Sequence, residues 1–356
     1  MATFKDVNGG DLQDSARRND HKLAKWVSQN TVPSAGFRNA IINGGFDVWQ
    51  RATTATVNNS FGYVSADRWQ IYGYGTAASA TLARFTHAAG GVEQNGNTRY
   101  YANYAWTAGS DTVNSLCLVQ NVIEDVRTFS GQNVTLSFWA NSSAATNIAV
   151  EMEQVFGTGG SPSASVQGLS TRITLPSGSG LKRYVLTFKL PSIVGKTIGT
   201  NEDSSLRVNF WTSAGSTYNA RTGIGIQASG NFNIWGVQLE LGTVASPFER
   251  RPVATELSLC QRYYQRFGGL GSGYEPMMWG YCHTAGTGVY FDRPAMVPLR
   301  AVPTLSYGGN LRVTNYASAW AVSSLTIQSA STQVLQVGAT TAAGPTASNG
   351  YALTAN

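Results

Sequence analysis

Two acidic residues of one alternating segment, Glu151 and Glu153, are the most direct candidates for chemistry in this sequence. In "NIAVEMEQVF" (147–156) both carboxylates share a strand face opposite Val150 and Met152. Paired carboxylates roughly 5–10 Å apart hydrolyse glycosidic bonds, and same-face neighbours on a strand fall in that range. Two carboxylates on a single strand do not usually flank a bond from both sides, however. An exposed, non-catalytic pair is the stronger interpretation, and we do not expect an enzyme.

Two other segments place tryptophan and polar groups on the face opposite their apolar residues. "VTLSFWANS" (134–142) puts Leu136 and Phe138 on one face, and "SLRVNFWTS" (205–213) does the same with Val208 and Phe210. A sugar ring has apolar C–H faces and a rim of hydroxyl groups, so its site needs aromatic platforms with amide, carboxylate or guanidinium groups. The candidate ligand-binding residues are Trp139, Asn141, Glu151, Glu153, Arg207, Asn209 and Trp211. The alternative is that this face packs on a neighbouring subunit or is simply solvated.

These segments belong to a long β region. From about residue 38 to 250, alternating segments are separated by clusters such as "GTGGSPSAS", a pattern typical of an antiparallel sandwich or jelly roll. Tyr100, Tyr104 and Trp106 share one face of "RYYANYAW" (99–106) and are expected in its core.

The predicted fold class is mainly β: an antiparallel jelly-roll sandwich plus a smaller C-terminal β domain, with a short N-terminal helix and one connecting helix. The predicted domains are residues 1–36 (N-terminal segment), 37–250 (jelly roll), 251–269 (connecting helix) and 270–356 (C-terminal β domain).

Two helical patterns flank the sandwich region. In residues 11–30 the side chains of one helical face recur at alternating spacings of four and three positions. This pattern suits either a short coiled coil or an amphipathic helix docked on a partner. The segment "ATELSLCQRYYQRFGG" (254–269) places Cys260, Tyr263, Tyr264 and Phe267 on one helical stripe. A single helix between two β regions is expected to act as a strut or to lie on an oligomer axis. The candidate oligomerisation residues are Leu12, Ala16, Leu23, Trp26, Tyr263 and Tyr264.

Composition excludes several classes of function. Charged residues make up 12% of the chain, about half of the usual share, so the surface is either buried between subunits or built of small neutral polar groups. The net charge of +6 is spread out, whereas a nucleic-acid binder carries a dense basic patch. The three cysteines lack metal-ligand spacing, and no cofactor is expected. The sequence predicts no signal peptide and no membrane insertion.

The stretch "NAIINGGFDVWQR" (39–51) reads as a strand interrupted by Asn43-Gly44-Gly45. Glycine readily adopts positive φ, so we expect a turn or bulge here. It would deliver Phe46 and Val48 into the sandwich core.

Several segments resemble the tail fibre and receptor-binding proteins of tailed bacteriophages, over roughly residues 38–310. The central domain is similar to jelly-roll carbohydrate-binding modules. The segments that carry the resemblance are "NAIINGGFDVWQR", "YVSADRWQIY" (63–72), "IEDVRTFSGQNVTLSFWANS" (123–142), "NIWGVQLELGTVASPFERRPVATELSLCQRYYQR" (233–266) and "PLRAVPTLSY" (298–307).

The resemblance implies a virion protein made in the host cytoplasm, with residues 1–36 attached to other tail or virion proteins. It would be a homo-oligomer, expected to be a trimer, that binds host polysaccharide or lipopolysaccharide through many weak contacts. A structural appendage or connector without receptor binding is the first alternative, and a polysaccharide depolymerase is the second.

In the carbohydrate-binding modules that the central domain resembles, a structural calcium lies near the first and last strands. Asp47 could contribute a carboxylate, but Asn233 stands where an acid is usual, so we expect no metal and keep calcium near Asp47 as the alternative.

Overall fold

The computed structural model is mainly β, as predicted, and separates into two compact units. Of the described residues, 37–47 and Thr53–Arg250 belong to the sandwich unit, and Val48–Ala52 and those from Arg251 onward belong to the C-terminal unit. The residues that the structure describes are 37–87, 99–178, 180–268, 275–284, 288–307, 311–315, 318–341, 345 and 350–355. The predicted N-terminal helix, with Leu12, Ala16, Leu23 and Trp26, lies outside them.

The sandwich unit contains two antiparallel sheets of six strands. Sheet 1 has the order β1 (Thr54–Asn58), β4 (Ser79–Thr86), β5 (Tyr100–Thr107), β12 (Ser229–Leu241), β7 (Asn133–Asn141) and β10 (Lys182–Lys189). Sheet 2 has the order β2 (Ser60–Gly62), β3 (Trp69–Tyr74), β6 (Leu116–Glu124), β11 (Ser205–Ala214), β8 (Thr146–Val155) and β9 (Val166–Leu175). A short helix, α1 (Ser216–Thr222), follows β11.

The apolar faces of the two sheets meet in the core. Phe138 of sheet 1 packs edge-on against Phe210 of sheet 2, with ring centroids 5.2 Å apart. Each fully buried side chain of this size stabilises the fold by about 1.5–3 kcal/mol. The predicted assignment of residues to the core is confirmed for Leu136, Phe138, Val150, Met152, Val208, Phe210, Tyr104 and Trp106.

The Asn43-Gly44-Gly45 stretch forms a turn, but the positive φ angles fall beside the glycines, at Asn43 (59°) and Phe46 (57°). Gly44 is required for space instead, since a Cβ there would lie 2.1 Å from the Val237 carbonyl oxygen. Phe46 is fully buried and stacks on Trp69 at 4.7 Å. The prediction that Val48 enters the sandwich core is wrong, because Val48 belongs to the C-terminal unit.

The C-terminal unit is built on a six-stranded sheet that closes on itself. Its order is β13 (Glu275–Thr284), β14 (Gly288–Pro294), β17 (Val334–Thr341), β16 (Ala319–Ala330), β15 (Leu311–Thr314) and β18 (Gly350–Ala355). The inward side chains that form its core include Met278, Cys282, Val289, Phe291, Val313 and Val337.

Helix α2 (Val253–Gln261) starts this unit after Pro252. The predicted helical stripe through Phe267 is wrong, because the helix ends at Gln261 and the Tyr263 and Tyr264 N–H groups both donate to the Cys260 carbonyl. Tyr264 packs within the unit, with the Arg51 guanidinium 3.6 Å from its ring centroid. The oligomerisation role of Tyr263 and Tyr264 stays a prediction. Neither described helix is long and apolar enough to cross a membrane.

Replacing Gly44 with alanine should destabilise the sandwich unit, because the new Cβ collides with the Val237 carbonyl. We expect a loss of about 1–3 kcal/mol in the free energy of unfolding, measured by urea titration. Gly180→Ala is the control, since a Cβ there meets nothing within 4 Å. Equal midpoints for the two variants would contradict the close approach at Gly44.

Candidate functional site

A row of polar side chains crosses the outer face of sheet 2. In the strand register Gln70, Gln120, Asn209, Glu151 and Ser170 lie opposite one another on β3, β6, β11, β8 and β9. Because side chains alternate along a strand, all five point away from the core. We call this surface, with the rows immediately beside it, the sheet-2 face.

Glu151 anchors one half of the sheet-2 face. The expectation of an exposed carboxylate pair is wrong, because the Glu151 side chain is completely buried and Glu153 is only 6% exposed. Arg221 of α1 donates to both of its oxygens, from Nε at 2.8 Å and from Nη2 at 2.7 Å. The Gly168 N–H (2.9 Å), the Asn209 amide (3.0 Å) and the Trp211 indole N–H (2.8 Å) donate to it as well. The carboxylate is therefore fully satisfied by the protein itself.

The protonation states of this pair follow from its surroundings. Burial alone would raise the pKa of Glu151, but the hydrogen bonds and positive charge of Arg221 outweigh it and hold that pKa below its ordinary value. Burial would likewise lower the pKa of Arg221, and the bonds to Glu151 raise it instead. Both groups are charged at neutral pH.

Helix α1 covers this half of the face. Arg221 also lies 3.3 Å from Glu153 and sits over the Trp211 ring, 5.0 Å from its centroid. Tyr218 packs on the same tryptophan at 5.6 Å. Trp211 and Asn209 retain only 2% and 1% of their exposure. The prediction that these side chains form an exposed platform is wrong, because the segment after β11 folds back over them.

The other half of the sheet-2 face is open. Phe61 and Tyr72 are opposed across β2 and β3, and their rings stack at 4.8 Å with a 10° angle. Phe61 is 53% exposed and Tyr72 is half-buried. The Gln120 amide donates to Gln70 Oε1 and, at 3.2 Å, to the Tyr72 hydroxyl. An aromatic platform thus lies beside the half-buried Gln70 amide, which the buried Gln120 amide (2% exposed) holds in place.

Arg207 adds a second positive charge to the sheet-2 face. It lies opposite Val122 and Glu153 in the register and is half-buried. Burial raises the pKa of Tyr72, and the positive charge of Arg207 acts against that rise. Among the described residues, nothing accepts a hydrogen bond from the buried Arg207 Nε. The buried Oδ1 of Asn209 likewise receives none from them.

The seven predicted ligand-binding residues do not form a single surface. Glu151, Glu153, Arg207, Asn209 and Trp211 come together on the sheet-2 face, whereas Trp139 and Asn141 lie on the outer face of sheet 1. Trp139 is only 6% exposed, because Trp235 (5.1 Å) and the Arg183 guanidinium (5.0 Å) pack on it. The prediction of exposure is therefore wrong for this tryptophan too.

Asn141 lies in a ladder of amides on sheet 1. The Asn103 amide donates to Asn233 Oδ1 at 2.8 Å, and the Asn233 amide donates to Asn141 Oδ1 at 2.9 Å. Asn233 is thus engaged by other amides. Within the described residues, no group of three His, Cys, Asp or Glu side chains could hold a metal ion.

Sequence reasoning missed four residues of the open half: Phe61, Gln70, Tyr72 and Gln120. The alternation in "RWQIYGY" (68–74) puts Gln70 and Tyr72 on one outward face, so that signal was available. Gln120 gave none, because β6, "LCLVQNVIE", carries apolar residues on both of its faces and its two amides are adjacent, so the strand shows no polar alternation. Phe61 lies on a three-residue strand, too short to show a period.

The comparisons with known proteins give fold-level similarities only. No family model and no curated protein matches the chain. One similar solved structure is a bacteriophage CBA120 tailspike protein 4 domain, with 15% identity over 58% of this chain and 22% of that chain and a TM-score of 0.32. A second is the family 11 carbohydrate-binding module of Clostridium thermocellum, with 14% identity over 54% of this chain and 98% of that chain and a TM-score of 0.30. A third is the N-terminal cellulose-binding domain of Cellulomonas fimi β-1,4-glucanase C, with 15% identity over 46% of this chain and 90% of that chain and a TM-score of 0.28. The match spans about a fifth of the tailspike chain. Because every TM-score is below 0.5, the functions of these proteins are not transferred to this chain.

Replacing Glu151 with glutamine should strongly destabilise the sandwich unit, since Arg221 then loses its main partner in a buried setting. Breaking a buried ion pair from one side costs about 3–5 kcal/mol. Urea unfolding at neutral pH measures this loss, and Glu202→Gln, on an exposed loop, is the control. A loss no greater than that of the control would contradict the structural role of the pair.

The contribution of Glu151 should also depend on pH in a defined direction. Its pKa is lowered by folding, so the stabilisation is complete above the unfolded carboxyl value of about 4.3 and is lost as the pH falls toward the folded value. The difference in unfolding free energy between wild type and Glu151→Gln should therefore shrink on acidification from pH 6 to pH 3. A difference that stays constant would contradict the lowered pKa.

Proposed function

We propose that this protein is a bacteriophage tail fibre or receptor-binding protein that adheres to polysaccharide or lipopolysaccharide on the host surface. Its sandwich unit would bind the glycan on the open half of the sheet-2 face. The virion role is supported by the sequence resemblance over roughly residues 38–310. The binding role is supported by the chemistry of the face itself.

The observation that carries the binding proposal is the Phe61–Tyr72 stack beside the Gln70–Gln120 amide pair. The exposed ring of Phe61 offers an apolar surface for the C–H face of a sugar. The partly exposed Gln70 amide, with the half-buried Arg207 guanidinium on the same face, would supply donors and acceptors for hydroxyl groups around that ring, while the buried Gln120 amide orients Gln70. A flat aromatic surface with a few placed polar groups is the arrangement that sugar recognition needs.

Oligomerisation is part of this proposal. Weak single sites suffice when several copies bind together, because linking sites raises the effective concentration of the second contact. A homotrimer would present three sheet-2 faces to one cell surface.

The first alternative, a structural appendage that touches no receptor, is favoured by the burial of Trp139 and Trp211. Most of the predicted platform is covered, so only the open half is left for ligand. If that half binds nothing, the structural role is the better description.

The second alternative, a depolymerase, finds little support at Glu151 and Glu153. A general acid must hold its proton near neutral pH, which requires a raised pKa. The pKa of Glu151 is lowered instead, and both of its oxygens are occupied by Arg221. We therefore propose adhesion without hydrolysis.

Replacing Phe61 with alanine should weaken the binding of full-length protein to host cells, because the sugar loses its stacking surface. We expect an affinity loss of about tenfold per site, which corresponds to ~1.4 kcal/mol. The measurement is binding to cells with intact surface polysaccharide, compared with cells from which it has been stripped.

Phe85→Ala is the matched control for this experiment. Phe85 is 46% exposed and also stacks on a tyrosine, Tyr101 at 5.7 Å, but it lies on sheet 1. Its replacement should leave binding unchanged. Equal binding by wild type and Phe61→Ala, or equal binding to stripped and intact cells, would reject the proposed site.

A further inference from the structure

The outer surface of the C-terminal unit carries the most exposed tryptophan among the described residues. Trp279 is 73% exposed, and Tyr281 on the same strand is 49% exposed. Met278 and Cys282 point into the core of the closed sheet. Since strand side chains alternate, Trp279 and Tyr281 both point outward.

Polar groups lie directly beside Trp279. In the register of β13, β14 and β17, Trp279 is opposite Asp292, and Asp292 is opposite Gln336. The Gln336 amide donates to Asp292 Oδ1 at 2.8 Å and so orients the exposed carboxylate. Opposed residues have Cβ atoms about 4.5–5.5 Å apart, so the carboxylate lies within one sugar-ring width of the indole.

The second outward aromatic side chain, Tyr281, is held by its neighbour across β13 and β14. Tyr281 is opposite Tyr290, and their rings meet edge to face at 6.4 Å. A Cβ on Gly280 would lie 1.8 Å from the Tyr290 carbonyl oxygen, so only glycine permits the approach of β13 to β14 between the two outward aromatics. The surface is thus rigidly built from strands and does not depend on a loop.

We propose that Trp279, Tyr281 and Asp292 form a second saccharide site, which takes a neutral pyranose with vicinal hydroxyl groups. The C–H face of the sugar stacks on the Trp279 indole, and two hydroxyl groups donate to the Asp292 carboxylate. The carboxylate disfavours phosphate-rich ligands such as nucleic acid, because their charge is repelled. This site stands on its own residues and remains if the sheet-2 face binds nothing.

The test uses full-length protein carrying Phe61→Ala, so that the sheet-2 face does not contribute. Saturation-transfer NMR is recorded with the methyl glycosides of glucose, galactose, mannose and N-acetylglucosamine. In this background we compare Trp279→Ala, Asp292→Asn and the control Tyr307→Ala. Tyr307 is a 52% exposed tyrosine of the same unit, and thermal unfolding checks that each variant is folded.

We expect saturable binding of at least one glycoside, a loss of tenfold or more with Trp279→Ala, a loss of about tenfold with Asp292→Asn and no change with Tyr307→Ala. No saturable binding to any of the four glycosides overturns the proposal. Unchanged binding by Trp279→Ala also overturns it. A mass measurement on the same variants identifies the other occupant: if Trp279→Ala lowers the oligomeric mass without changing sugar binding, this surface is a contact between copies of the chain.

Discussion

The buried ion pair between Glu151 and Arg221 decides which part of the sandwich surface is open to a ligand. A carboxylate without exposure is stable only when its charge is paired and its oxygens are hydrogen-bonded, and Arg221 of α1 provides both. The pair holds α1 over Trp211 and Asn209. What is left accessible on the sheet-2 face is the half that carries Phe61, which the ion pair does not reach.

The ion pair therefore divides the sheet-2 face into a half that stabilises the fold and a half that is open to a ligand. In the charged half the Glu151 carboxylate is satisfied by protein contacts and contributes stability, whereas the open half keeps the exposed Phe61 ring beside the half-buried Tyr72 and Gln70 side chains. The C-terminal unit presents a comparable combination at Trp279 and Asp292, built on different strands. A content of only 12% charged residues suits contact with neutral glycans. If both sites bind, each copy of the chain contributes two weak contacts to avidity.

Much of the fold was predictable from the sequence, because one face of each strand must be buried. Period-two alternation placed Phe138 and Phe210 in the core correctly, and the predicted segments 134–142, 147–156 and 205–213 coincide with β7, β8 and β11. The same alternation correctly put Trp139 and Trp211 on outward faces. It could not show that these faces are covered, because the cover comes from residues distant in sequence or from a helix of only seven residues.

The candidate site was harder to predict for a related reason. A binding surface depends on which rows of several strands become neighbours, and that register is set by the assembled sheet. Gln120 contacts Gln70 across 50 positions of sequence, and no local pattern links them. The turn at Asn43-Gly44-Gly45 shows the same limit: its glycine signal was informative, but the decisive contact is with the distant Val237 carbonyl.

Hydrogen–deuterium exchange of the full-length protein, with and without purified host surface polysaccharide, tests whether the open half of the sheet-2 face binds the glycan. We expect the glycan to slow exchange in β2 and β3, around Phe61 and Tyr72, and to leave α1 unchanged because its contacts are internal. Protection confined to α1, or no protection in β2 and β3 at saturating polysaccharide, would contradict it.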